Sequence, residues 1–222
     1  MNLTKEAYEK SIEVLEKCTT PNGFYAAYPG YRGVWARDSM ITSLGASLIG
    51  DKFKETFRQS LKTLAKHQSK NGQIPNAVLF EDGKEKQVDY KSIDSSLWFI
   101  IGNYLYADRF GNKDLLNENR GKIEMAMNWL GCQDWGETGM LAQHPTSDWQ
   151  DAFPHRYGYT INTEALWFYV LSLAGKKKEA LEIKKIVNEH ENDGLWNGTF
   201  YLPWRWKNHH SYKEMGSWFD SL

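Results

Sequence analysis

The chain has 222 residues, with 27 basic and 28 acidic side chains, a net charge of -1 and a mean hydropathy of -0.63. That length suits one domain, or a large piece of a bigger one, with a substantial core. The charge balance supplies no global field that would draw the protein onto nucleic acid or an anionic membrane, and no run approaches the roughly 18 apolar residues a membrane span needs. The opening Met1-Asn2-Leu3-Thr4-Lys5-Glu6 lacks the apolar core of a secretory signal, which predicts a cytoplasmic protein. Cys18 and Cys132 show neither metal-ligand nor redox spacing, and both read as buried, reduced thiols in helical segments.

In chain order, residues 4–18 carry Ala7, Tyr8, Ile12, Val14, Leu15 and Cys18 at amphipathic-helix spacing, and Pro21-Asn22-Gly23 breaks the pattern. An aromatic loop follows, and a second helix is predicted from Asp38 or Ser39 through Ile49, stopped by Gly50. Its small residues Ser43, Gly45, Ala46 and Ser47 predict close packing against a neighbour. A third helix runs from Phe53 to near Gln68, with Lys52, Lys54, Glu55, Arg58 and Lys62 on a solvated face. Residues 69–91 read as a long polar loop, and loops of that length in a compact domain are usually functional or disordered.

Residues 94–108 return to helix so densely apolar, through Leu97, Trp98, Ile100, Ile101, Tyr104 and Leu105, that it must be largely buried. Another helix is predicted over 114–132, and a second long loop over 133–158. A helix over 163–174, a basic-faced one over 176–189, a hairpin or extended segment over 196–206 and the start of a further helix at 215–220 complete the pattern. With no run of buried parallel strands and no phosphate-binding Gly-rich turn, the fold class is all-α, and its alternating short and long connections suggest stacked helical hairpins with the long loops at one end.

The stretch Tyr28-Pro29-Gly30-Tyr31-Arg32-Gly33-Val34-Trp35-Ala36-Arg37-Asp38 stands where a loop becomes a helix. A guanidinium and a carboxylate side by side can grip neighbouring sugar hydroxyls as donor and acceptor, while Trp35 offers a flat apolar face. The plain alternative is a surface ion pair in which Asp38 caps the helix. The 10 Trp, 12 Tyr and 10 Phe, many of them in polar loop contexts, also suit a carbohydrate-facing cleft.

Loop acids are Asp38, Asp89, Asp94, Asp134, Glu137, Asp148 and Asp151. Glycoside hydrolysis needs two carboxyl groups, one of them protonated. Asp148 and Asp151 are best placed, because Trp149 and Phe153 could supply an apolar wall that raises a carboxyl pKa. Their plain reading is a turn and cap pair ahead of Thr163. His144, His155, His190, His209 and His210 show no paired metal-ligand spacing, and no Gly-x-Ser-x-Gly elbow is present, so neither metal nor cofactor is expected. Basic residues scattered among Glu on helix faces make a poor nucleic-acid groove.

Five motifs in order, Gly33-Val34-Trp35-Ala36-Arg37-Asp38, Gly72-Gln73-Ile74-Pro75-Asn76, Ser92-Ile93-Asp94-Ser95-Ser96-Leu97-Trp98-Phe99, Asp148-Trp149-Gln150-Asp151-Ala152 and Glu164-Ala165-Leu166-Trp167, span most of the chain. Together they resemble the six-hairpin glycosidases, nearest to glucoamylases and the glucosidase domain of glycogen-debranching enzymes. The resemblance implies an (α/α)6 toroid of twelve helices, of which the apolar periodicities supply about seven or eight. It also implies inverting hydrolysis of an α-glucoside from the non-reducing end.

By the same resemblance Asp151 is the general acid, in a motif reading Trp-Met-Asp-Ala in the debranching enzymes, whereas glucoamylases place a Glu near that position. Trp35, Arg37 and Asp38 hold the terminal sugar, and Asn76, Asp94, Asp148, Trp149 and Glu164 complete the substrate-binding set. Such barrels need on the order of 350 residues, above the common domain size, and place the general base in a C-terminal third that this sequence does not contain. The expectation is therefore a partial domain over residues 1–222, completed by further residues, a companion chain or self-association. The rival reading is a carbohydrate-binding module without turnover; an isomerase on a similar barrel would want a histidine pair, for which His144 and His155 are the candidates.

Overall fold

The computed structural model describes residues 3–189 and 194–206. The chain divides into two compact units, Met1–Trp129 and Leu130–Leu222.

In the first unit α1 (Leu3–Cys18) docks through Ile12, Leu15 and Cys18 onto Phe24, Ala46 and Phe53, while Leu3, Tyr8 and Val14 stay exposed. Strands β1 (Thr19–Thr20) and β2 (Gly23–Phe24) turn tightly around Pro21-Asn22. Next come β3 (Gly33–Trp35) and α2 (Ala36–Ala46), which passes into a 3-10 segment, Ser47–Phe53. Helix α2 begins at Ala36, two or three residues before the predicted start at Asp38 or Ser39. Asp38 lies inside the first turn, and the cap position is Trp35, with no side-chain cap bond, so Asp38 is not the cap.

Helix α3 (Lys54–Lys66) leads to the segment read as a loop, which is instead a hairpin of β4 (Ala77–Glu81) and β5 (Lys84–Asp89). Strand β3 pairs antiparallel with β4, giving a three-stranded sheet of order β3-β4-β5. Strand β5 is polar and exposed along most of its length, so only β4 carries an apolar signal in the sequence. Before the hairpin, Gly72 holds φ +98, and a Cβ there would lie 2.2 Å from the Met125 carbonyl oxygen, so the chain passes too close to the next helix backbone for any side chain.

Helix α4 (Asp94–Phe110) is buried along most of its length and packs against α2 and α3, with Gly102 seated over Met40. The region predicted as one helix over 114–132 is two, α5 (Asp114–Glu118) and α6 (Arg120–Gly131). They break at Asn119, whose buried amide donates to Asn103 Oδ1 at 2.8 Å. Of the small residues on the α2 side, Ser43, Ala46 and Ser47 are buried, but Gly45 faces open space.

The second unit holds the loop over 133–158, then β6 (Tyr159–Thr160), α7 (Ile161–Leu173) and α8 (Lys177–Val187). Thr160 caps α7, and the two helices pack over Trp167, Val170, Leu171, Ala180, Ile183 and Val187. The segment over 196–206 is extended as predicted, with a Trp196–Tyr201 bridge and β7 (Trp204–Arg205) antiparallel to β6. Cys18 is buried as expected, but Cys132, just past the end of α6, is exposed. The helix start predicted at 215–220, with His190, His209 and His210, lies outside the described residues. Among the described residues no helix is long and apolar enough to cross a membrane, and no group of three or more His, Cys, Asp or Glu side chains is arranged to hold a metal ion.

Candidate active site

In the first unit the N-termini of α2 and α4 come together. Arg37, in the first turn of α2, donates from Nη1 to Asp94 Oδ2 at 3.1 Å, and its Nη2 lies 3.7 Å from Asp38 Oδ2. Asp94 opens α4, is fully buried, and also accepts from Ser92 Oγ. The firm partner of Arg37 is thus a residue 57 positions away, and the neighbouring Asp38 is held loosely. The Arg37 side chain is 20% exposed and that of Asp38 38%, which leaves both reachable by a ligand. Asp38 Oδ2 has no hydrogen-bond partner although the atom itself is covered.

The sheet fixes this corner. Asn76, nearly buried, donates from Nδ2 to Asp89 Oδ2 at 2.8 Å, and its carbonyl accepts from the Ala36 amide at 2.9 Å. Its side chain is spent on the end of β5 while its carbonyl holds the start of α2, so it acts as a support for the corner that carries Arg37. Trp35, half-buried at the end of β3, meets the exposed Tyr31 ring edge-on at 5.6 Å. Trp35, Arg37, Asp38, Asn76 and Asp94 are therefore gathered at one corner.

In the second unit Asp148 is buried. Its Oδ1 accepts from the Gln150 amide at 2.9 Å and its Oδ2 from Arg156 Nε at 2.8 Å. Two residues past it, Gln150 begins a turn that spans Asp151, which is exposed, as are Trp149 and Phe153, each 49% accessible. Within the second unit the expected apolar wall around Asp151 is not closed, because both rings stay about half exposed and Phe153 packs against His155.

Glu164 stands apart from that loop. It is fully buried, its Oε1 accepts from the Leu141 amide at 3.0 Å, and its Oε2 has no partner. Burial, reinforced by the Asp134 carboxylate, pushes its pKa well above the usual carboxylate range, which favours the protonated form. The carboxyl helps fasten the stretch over 134–143, together with Trp167 Nε1 to the Gly139 carbonyl at 3.0 Å and Thr160 and Thr163 to Gln143 Oε1. Asp134 is engaged in that same stretch, accepting from the Thr138 and Gly139 amides.

The candidate histidines do not form a pair. His144 packs against Trp135 and His155 against Phe153. Sequence reasoning missed Arg156 and Gln143. Both lie in a loop without periodicity, and only the fold supplies their partners.

Comparison with known proteins places the chain in a family. A family model described as amylo-alpha-1,6-glucosidase matches residues 9–215. A comparison with curated proteins returned no match. Among solved structures, a glycosidase substitution variant in complex with glucose shares 19% identity at a TM-score of 0.58. The wild-type glycosidase shares 17% identity at the same score. Each match covers 82% of this chain and 55% of the other, so the chain spans about half the length of these structures and resembles them in fold. With the family model matched over nearly its whole length, the chain belongs to the amylo-alpha-1,6-glucosidase family.

Proposed function

We propose that the chain forms part of an (α/α)6 toroid that hydrolyses α-glucosidic bonds from a non-reducing end with inversion. The observation that carries this is the Arg37–Asp94 pair at the meeting point of α2 and α4, with Asp38 beside it and partly open. It is a braced guanidinium with donors to spare and a carboxylate ready to accept, the equipment for two adjacent sugar hydroxyls. Trp35 offers the stacking face. The glucose bound in one of the similar structures supports a sugar ligand of this kind.

In this reading Asp151 gives its proton to the glycosidic oxygen as the bond from that oxygen to the anomeric carbon breaks. Water adds to the opposite face of that carbon and passes its proton to a base. In this reading the base comes from outside this chain's described residues, supplied by a continuation of the chain, a companion chain or a second copy, about 6.5–9.5 Å from the acid as an inverting site requires. Trp149 flanks the leaving group. Asn76 and Asp94 brace the Arg37 corner within the first unit, and Asp148 and Glu164 fasten the loops that they belong to or contact within the second.

Calorimetric titration with glucose and maltose, alongside a glucose-release assay, tests the proposal. Release that is abolished by Asp151→Asn and weakened by Asp38→Asn is expected. Sugar binding with no release, even when the completing residues are supplied, would make the protein a carbohydrate-binding module instead.

A further inference from the structure

The loop that carries Asp151 is a closed ring. Its stem is tied where the Gln143 and Gly158 backbones exchange two hydrogen bonds, both 2.9 Å. Inside that stem four links run head to tail. The Gln150 amide donates to Asp148 Oδ1 at 2.9 Å, and the Phe153 amide to the Gln150 carbonyl at 3.0 Å. The Arg156 amide donates to the Phe153 carbonyl at 3.2 Å, and Arg156 Nε closes the circuit onto Asp148 Oδ2 at 2.8 Å. Asp151 and Ala152 are the two residues spanned by the link from Gln150 to Phe153. The candidate acid therefore sits exposed on the rim of a ring whose charged clasp is buried, with the Arg156 and Asp148 side chains 6% and 1% accessible.

Arg156 also reaches out of the ring. Its Nη1 donates to the Pro203 carbonyl at 3.2 Å, and the next residue, Tyr157, packs its ring against Trp204 at 5.0 Å and Trp206 at 4.3 Å. Strand β7 in turn pairs with β6, which leads into α7. One guanidinium thus joins the ring to the segment that leads into β7. A lysine could neutralise Asp148 but could not reproduce both the Nε and the Nη1 bonds, because its donors radiate from a single nitrogen.

We propose that Arg156 is a positioning residue for hydrolysis, its guanidinium clasping Asp148 and Pro203 so that the turn bearing Asp151 is held in one place. This rests on the reading of Asp151 as general acid. A group that only holds the fold would slow every substrate alike. A group that places the acid slows those substrates whose leaving oxygen must be protonated, and spares one whose leaving group departs without a proton.

The test compares Arg156→Met, Arg156→Lys and Asp151→Asn in the full protein on maltose and on α-glucosyl fluoride, with amide hydrogen exchange on each variant. Arg156→Met is expected to lower kcat on maltose by about 100-fold with little change in KM. It should leave α-glucosyl fluoride within about threefold and follow the pattern of Asp151→Asn. Arg156→Lys should fall between. Exchange at the amides of residues 150, 153 and 156 should quicken about tenfold more than that of α7, which follows the stability of the whole unit; this readout needs no turnover. Equal losses on both substrates with exchange quickened uniformly across the second unit would overturn the proposal, as would exchange at those three amides that quickens no more than that of α7. If Asp151→Asn hydrolyses maltose at the wild-type rate, the acid assignment itself fails. If Asp151→Asn is slow and Arg156→Met is not, only the positioning role fails.

Discussion

Asp94 in the first unit and Glu164 in the second are both fully buried carboxyl groups in the first turn of a helix, yet their surroundings give them opposite work. Asp94 meets a guanidinium and a hydroxyl, and the guanidinium that it braces keeps an accessible edge. Among the described residues Glu164 meets one backbone amide and no cation, so burial dominates and the carboxyl is driven toward its neutral form. The lesson is that an acid in a family motif binds charge only when the fold brings it a partner. Without one it becomes a hydrogen-bonding fastener.

The same contrast separates the two arginine pairs. Arg37 keeps an accessible edge, while Arg156 is closed inside the second unit. Asp148→Ala, which strands a buried guanidinium, should therefore cost about 3–5 kcal/mol of stability. Asp94→Ala leaves an arginine that can turn to water or to Asp38, and should cost only about 1–2 kcal/mol. Urea denaturation of both variants checks this, and equal losses would erase the distinction.

Binding should rank in the other direction. Arg37→Met is expected to weaken glucose binding by about tenfold or more, since a hydrogen bond from a charged donor is worth about 1.5–3 kcal/mol. Calorimetry that finds wild-type affinity would remove the first-unit corner from the site.

The pH dependence of Glu164 follows from linkage. Its pKa is raised in the folded state, so between the unfolded value near 4.3 and the folded one the native protein holds more proton than the unfolded chain. Stability must then fall as pH rises through that window, with a slope that approaches about 1.4 kcal/mol per pH unit from this group alone. Glu164→Gln, neutral throughout, should match the wild type near pH 4 and exceed it increasingly toward neutrality. Melting curves at several pH values would show the two lines diverging; parallel lines would mean that Glu164 is charged in the fold.

The smallest effect concerns the caps. Helix α7 has a Thr160 side-chain cap and α2 has none. Thr160→Ala should cost about 1 kcal/mol and free one lone pair of Gln143 Oε1, with the loss confined to the second unit. Hydrogen exchange that quickened equally in α2 would contradict that confinement.

Much of this was legible in the chain because helices announce themselves locally. Residues 94–108 are so continuously apolar that burial was the only reading, and α4 spans them. Cooperation of short motifs over most of the sequence pointed to the family, which the family model matches. The hairpin of β4 and β5 was missed because one of its strands is solvated and shows no alternation. The break at Asn119 was missed because a buried amide pair between Asn103 and Asn119 has no local signature.

What the sequence determined by itself is the helical class, the order of the motifs and the chemical types available at the site, since these depend on residue identity and on spacings of a few positions. What only the tertiary structure decided is who pairs with whom. Arg37 takes Asp94 rather than its neighbour Asp38, Arg156 closes onto Asp148, and Glu164 is left with an amide. Charge partnership is a matter of distance and burial in three dimensions, and it converts one carboxyl group into an anchor for an arginine and another into a neutral fastener.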